Sequence, residues 1–199
     1  NTNIMAYSDI EAESNISVID GDLSLIADAD LDGIGAFRQA IGTLISTINY
    51  GNIIIQSSGA GSIANIFSAG NILFRQGGVP VVFSQQTGSA ISAAGSMTIG
   101  QGVTINAADT IYGIGENFIS LGIFNAQFSN VALVSDKPAI IKGSITFNDL
   151  KVIVPGKKVS VTAGDTITTL GILTLQGSYG NLLKVISTEP GNQWKILPL

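Results

Sequence analysis

Gly51-Asn52-Ile53-Ile54-Ile55 and Gly70-Asn71-Ile72-Leu73-Phe74 are two copies of one phrase: a glycine, a small polar residue, and a triplet whose first and third members are apolar. Further copies are Gly21-Asp22-Leu23-Ser24-Leu25, Gly95-Ser96-Met97-Thr98-Ile99 and Gly143-Ser144-Ile145-Thr146-Phe147, with a late variant at Gly180-Asn181-Leu182-Leu183-Lys184-Val185. The triplet has the two-residue period of a strand with one buried face. The glycine and its polar neighbour are turn chemistry that tolerates positive φ. A turn plus a strand, recurring roughly every 20 to 30 residues, predicts a coil that stacks on itself. Ile53, Ile55, Ile72, Phe74, Met97, Ile99, Ile145, Phe147, Leu173 and Leu175 are then expected to face inward. Ile54, Leu73, Thr98, Thr146 and Thr174 are expected to face outward.

Around these phrases lie many short β-branched or aromatic runs between turn signals, among them Val79 to Phe83, Val131 to Val134, Ala139 to Lys142 and Val159 to Thr162. Strands so short and so close together do not fit hairpins with long loops. They fit several strands per turn of a coil. Helical spacing occurs only at Phe37, Ile41, Leu44, Ile45 and Ile48, where Gly35, Gly42 and neighbouring Thr and Ser weaken it, so a loop leading to a strand is favoured there. The fold class expected is all-β, a right-handed parallel β-helix. The alternative is a β-sandwich subunit that donates an N-terminal strand to its neighbour. Residues 1–20 read as a segment able to bridge subunits, and 21–199 as one solenoid domain. Its texture changes near residue 135, where lysines begin.

Charged residues make up 12% of the 199, about half the usual share, so the surface must be largely Ser, Thr, Asn, Gln and Gly. An apolar content of 45% excludes disorder. No apolar run reaches the ~18 to 20 residues of a membrane span. A net charge of −5 and the absence of a basic stripe argue against nucleic acid. The chain has no cysteine and no histidine, which excludes Cys-His and Ser-His-Asp catalysis and His-rich metal sites. A cysteine-free, Asn/Thr/Ser-rich β protein fits a bacterial cell surface.

The stretches GDLSLIADADLDGIG, GNIIIQSSGAGSIANIFSAGNILF, GSMTIGQGVTINAAD, LGIFNAQFSNVALV and IKGSITFNDLKVIVPGKKVSVTAGDTITTLGILTLQGSYGNLLKVISTEPGNQWKI give the chain a family likeness. From Gly21 to Ile196 it resembles the repeat regions of large bacterial surface or secreted proteins of the filamentous-haemagglutinin-like kind. The resemblance is one of repeat style and implies a right-handed β-helix serving as stalk, fibre or adhesin. It brings no catalytic residues with it.

Asp28-Ala29-Asp30-Leu31-Asp32-Gly33 places three carboxylates at alternate positions before a glycine, the opening of a calcium loop. The bidentate Glu expected twelfth is Gln39, so a full EF-hand is not expected. Asp28, Asp30 and Asp32 are the candidate Ca²⁺ ligands, the chain's one cofactor expectation. For general acid–base work only carboxylate pairs remain, Asp20 with Asp22 or Asp149 with Asp165, and substrate-gripping guanidinium is confined to Arg38 and Arg75. A non-enzymatic role is therefore expected, with a carbohydrate-binding or carbohydrate-cleaving β-helix as the alternative.

Asp9, Glu11, Glu13, Asp20, Asp22, Asp28, Asp30 and Asp32 precede the first basic residue, Arg38, and the lysines cluster at the other end, from Lys137 to Lys195. In a coil, chain position becomes axial position, so the molecule should have an acidic end and a basic end. The expected function is that of an extracellular structural protein, a filament subunit or adhesin stalk. Its expected partners are other copies of itself, head to tail, and surface polysaccharide.

Overall fold

In the computed structural model, which describes residues 1–108 and 111–199, the chain is a β-solenoid of three parallel sheets with no helix among the described residues. Its first turns run β1 (Thr2–Met5), β2 (Ile10–Ala12), β3 (Ile16–Asp20), then β4 (Leu23–Ile26), β5 (Phe37–Gln39), β6 (Leu44–Tyr50), then β7 (Ile53–Ser57), β8 (Gly61–Ile63), β9 (Asn65–Ser68). There follow β10 (Ile72–Gln76), β11 (Val81–Gln85), β12 (Ala90–Ala93), then β13 (Met97–Ile99), β14 (Val103–Asn106), β15 (Ile111–Ile114), then β16 (Phe118–Ser120), β17 (Ile123–Asn125), β18 (Asn130–Leu133). The last turns are β19 (Ala139–Lys142), β20 (Ile145–Phe147), β21 (Asp149–Val152), then β22 (Lys158–Val161), β23 (Thr166–Thr169), β24 (Leu173–Leu175), and finally β25 (Lys184–Ser187) and β26 (Lys195–Pro198). Every third strand stacks, so β1 to β25 form a first sheet of nine, β2 to β26 a second of nine, and β3 to β24 a third of eight.

Stacking puts like residues over like. One inward column of the first sheet runs Leu23, Ile53, Ile72, Met97, Phe118, Ile141 and Val161, each in register with the next and each buried. Burying such a side chain contributes about 1.5–3 kcal/mol, and the column repeats that gain at every turn. Eight of the ten expected inward residues are buried, and the five expected outward ones are half-exposed. Leu173 and Leu175 depart from the expectation: Leu173 is half-covered and Leu175 is 41% exposed, because no strand of the third sheet lies beyond β24.

Two alternatives from the sequence are corrected. The sandwich falls because every strand pairing is parallel and joins strands three apart in chain order. Residues 1–20, set apart as a bridging segment, form the first turn of the coil: β1, β2 and β3 pair with β4, β5 and β6, and Ile10 and Ala12 are buried. The weak helical spacing from Phe37 to Ile48 resolves into β5 and β6 with a turn between them.

The small polar residue of the phrase builds a ladder at the corner between the third and first sheets. Asn1 Oδ1 accepts from Asp22 N, Asp22 Oδ1 from Asn52 N and Nδ2, and Asn52 Oδ1 from Asn71 N and Nδ2, at 2.8–3.0 Å. Asn71 Oδ1 accepts from Ser96 N, Ser96 Oγ from Asn117 Nδ2, and Asn117 Oδ1 from Ile140 N. The ladder stops at Ile140, within the stretch where lysines take over. Glycine precedes the rungs Asp22, Asn52, Asn71 and Ser96, and at Gly51 it is needed because the turns touch: its φ is 127°, and a Cβ there would lie 1.9 Å from the carbonyl oxygen of Gly21. Asn52→Ala leaves the Asn71 amide without its acceptor at a half-exposed site, and is expected to cost about 1–2 kcal/mol. Urea unfolding checks this as a lower midpoint at unchanged slope.

Candidate functional site

The acidic loop occupies the corner between the first and second sheets. Residues 27–36 link β4 to β5 there, whereas residues 58–60 suffice one turn later, so the loop is an insertion folded back on the coil. It brings Asp28, Asp30 and Asp32 together, with one carboxylate oxygen of each within 4.8 Å of the others; Asp28 is buried and the other two are exposed. Asp28 Oδ1 accepts from Asp32 N at 2.9 Å, and Oδ2 accepts from Gly33 N at 3.2 Å and from the Ser58 hydroxyl. Ser58 Oγ in turn accepts from Gly78 N at 2.9 Å. Asp28 and Leu31 sit at φ near +60°, the left-handed region that short polar residues tolerate best. Gly77 lies beneath the loop, where a Cβ would lie 2.2 Å from Ser58 Oγ.

Asp28 therefore has two capacities. It closes the insertion on itself through the Asp32 and Gly33 amides and fastens it to the next turn through the Ser58 hydroxyl, which in turn accepts from Gly78 one turn further on, and with Asp30 and Asp32 it presents the oxygen set that a hard cation takes. Hydrogen bonding, first from Ser58, holds its carboxyl below the ordinary value of 3.8, outweighing the burial that would raise it. Asp9 is lowered in the same sense by Arg38, which also approaches Glu11. A lowered folded-state pKa means stability that is fully present above the unfolded value and lost as pH falls through the folded one. The first two turns are thus expected to loosen below about pH 4. Melting curves at descending pH check this, and Asp28→Asn should flatten the acid limb while lowering stability at neutral pH.

The carboxylate pairs considered for catalysis are engaged otherwise. Asp20 accepts from Asn49 Nδ2 and Asp22 is a rung of the ladder. Asp149 Oδ1 accepts from Ile172 N and Asn148 Nδ2, and Asp165 Oδ2 from Gly143 N, at different corners of the coil. Asp22, Asp149 and Asp165 accept from backbone amides of a neighbouring turn, and Asp20 accepts from a side-chain amide.

Two features gave little sign in the sequence. Lys157, one of a run of lysines, is fully buried at the corner of the third and first sheets, and its Nζ donates to the carbonyls of Ser135 (2.6 Å), Lys137 (2.8 Å) and Gly115 (3.3 Å). The second is a pair of surface grooves. One of about 600 Å³ crosses the outer face of β18, β21 and β24, lined by Asn130, Asp149, Lys151, Ile172 and Gln176 among others. The other, about 470 Å³, lies on the second sheet. Side chains pointing out of neighbouring turns line each groove, and these turns lie far apart in the sequence. The chain matches no protein-family model, no curated protein and no solved structure.

Proposed function

We propose that the chain is a rod-forming part of an extracellular structural protein of the bacterial surface, a filament subunit or adhesin stalk joined end to end through strand edges. The observation that carries this is the axial separation of charge: in a stacked coil, the eight carboxylates from Asp9 to Asp32 lie on the first two turns and the seven lysines from Lys137 to Lys195 on the later ones, along one axis. A neighbour placed head to tail meets opposite charge, and its strands run in the direction needed to continue all three sheets. The repeat style shared with filamentous-haemagglutinin-like proteins and the scarcity of surface charge point the same way. The described residues include no helix long and apolar enough to cross a membrane.

Negative-stain images of the concentrated chain are expected to show rods longer than one molecule. Their growth should slow in salt, since the Debye length falls to about 3 Å at 1 M. Isolated particles at every concentration would overturn the proposal. Within the same proposal, Asp28, Asp30 and Asp32 take a Ca²⁺ that braces the first corner. A higher melting temperature in CaCl₂ than in EDTA is expected, because a ligand of the folded form alone must stabilise it. Superimposed melts would leave the loop to its hydrogen bonds.

A further inference from the structure

We infer that the groove on the second sheet between β17 and β20 binds an uncharged polysaccharide chain. The core beneath it is aromatic. Phe118, Phe124 and Phe147 crowd together inside, with ring centroids 5.2–6.1 Å apart, and Tyr112 packs edge-on against Phe124. Above them β17 and β20 share a single register pair, Asn125 with Thr146, whereas β20 and β23 share three and β11 and β14 share four. Outward side chains that would close over a regular ladder are left apart, with a trough between them.

The chemistry of that trough selects the ligand. Its lining includes Ile123, Asn125, Gln127, Ser144, Thr146 and Leu170, and no charged side chain among the described residues. An ionic ligand would lose water there without gaining a counter-charge. Asn125 Nδ2 is committed to Asn106 Oδ1, which leaves its carbonyl oxygen as an acceptor. Ser144 Oγ accepts from Thr166 N, which leaves its hydroxyl proton to donate. Ile123 and Leu170, 57% and 49% exposed, supply apolar contact between these polar groups. Alternating hydroxyl partners and aliphatic patches match a sugar ring, which carries hydroxyls at its rim and C–H groups on its faces.

Gln127 is held at φ 44°, a conformation that costs a non-glycine residue about 1–3 kcal/mol and that concentrates at functional sites. Phe128, next in the chain but outside the groove's lining, is 74% exposed. The inference goes beyond the structural role: it gives an adhesin its ligand class and does not depend on end-to-end growth.

The test is a printed array of neutral and acidic oligosaccharides probed with the whole chain, with neutral hits then titrated against Asn125→Ala and Thr146→Lys. Neutral glycans are expected to bind, about tenfold more weakly in Asn125→Ala, which removes one hydrogen-bonding partner. Thr146→Lys, which fills the trough and charges it, should abolish binding while both variants melt close to the parent. Three results would overturn the inference: no neutral glycan bound, binding confined to acidic glycans, or neutral binding that survives Thr146→Lys. Rod formation is read separately by microscopy, so either proposal can fail without the other.

Discussion

Lys157→Ala is expected to lower the melting temperature by roughly 6–12 °C, the counterpart of about 3 kcal/mol in a domain of this size. The ammonium is the common partner of three carbonyls on two earlier turns, those of Gly115, Ser135 and Lys137. Removing it takes the donor from the part-buried carbonyls of Ser135 and Lys137, while the Gly115 carbonyl keeps the Ser135 hydroxyl, at a cost of about 1–3 kcal/mol for a buried acceptor left unpaired, and deletes the packing of a long aliphatic stem. Lys157→Met separates these contributions, because it restores most of the packing and none of the hydrogen bonds. A Met variant as stable as the parent would contradict the account. Burial pushes the Lys157 pKa down, against the opposing pull of Asp136 and Glu116. Its folded-state pKa thus lies below the unfolded value of 10.5, so in that alkaline window the unfolded chain binds more protons and stability rises with pH.

Phe118→Ala is expected to cost about 3–5 kcal/mol, the usual range for an aromatic deleted from a packed core. Its ring is fully buried and lies edge-on to both Phe124 and Phe147, so the substitution leaves a hole in the middle of the cluster. Because each turn of a solenoid rests only on its neighbours, the loss should be local. Hydrogen exchange is expected to quicken around β16, β17 and β20 while β4, β7 and β10 keep their protection. Phe118→Leu should recover a large part of the stability. A uniform loss of protection along the whole coil would show that the turns unfold as one cooperative unit.

The inside of this protein was legible in the sequence because its period is two and its phrase is repeated. Once Ile53 and Ile55 point inward, Ile72, Phe74, Met97 and Ile99 must follow, or the stack would bury polar groups at every turn. The acidic loop was legible for a similar local reason, since three carboxylates at alternate positions before a glycine are adjacent in the chain as well as in space. The small polar residue after each glycine was visible as turn chemistry. Its second role, accepting from the turn stacked on it, depends on a partner 19 to 30 residues away.

Tertiary structure alone decided the rest, because it depends on which residue of one turn lies over which residue of another. Residues 1–20 lack a clean copy of the phrase, and only the pairing of β1, β2 and β3 with the next turn makes them part of the coil. Leu175 obeys the inward pattern yet stays exposed, since burial of an end rung is supplied by a neighbour and not by its own sequence. Lys157 reads as one more surface lysine until the corner carbonyls of two earlier turns close around it. The groove over Phe124 is likewise lined by residues of β17, β20 and their flanking loops, which lie on separate turns of the coil. Periodicity specifies which face of a strand is buried; the contacts between turns specify what that burial builds.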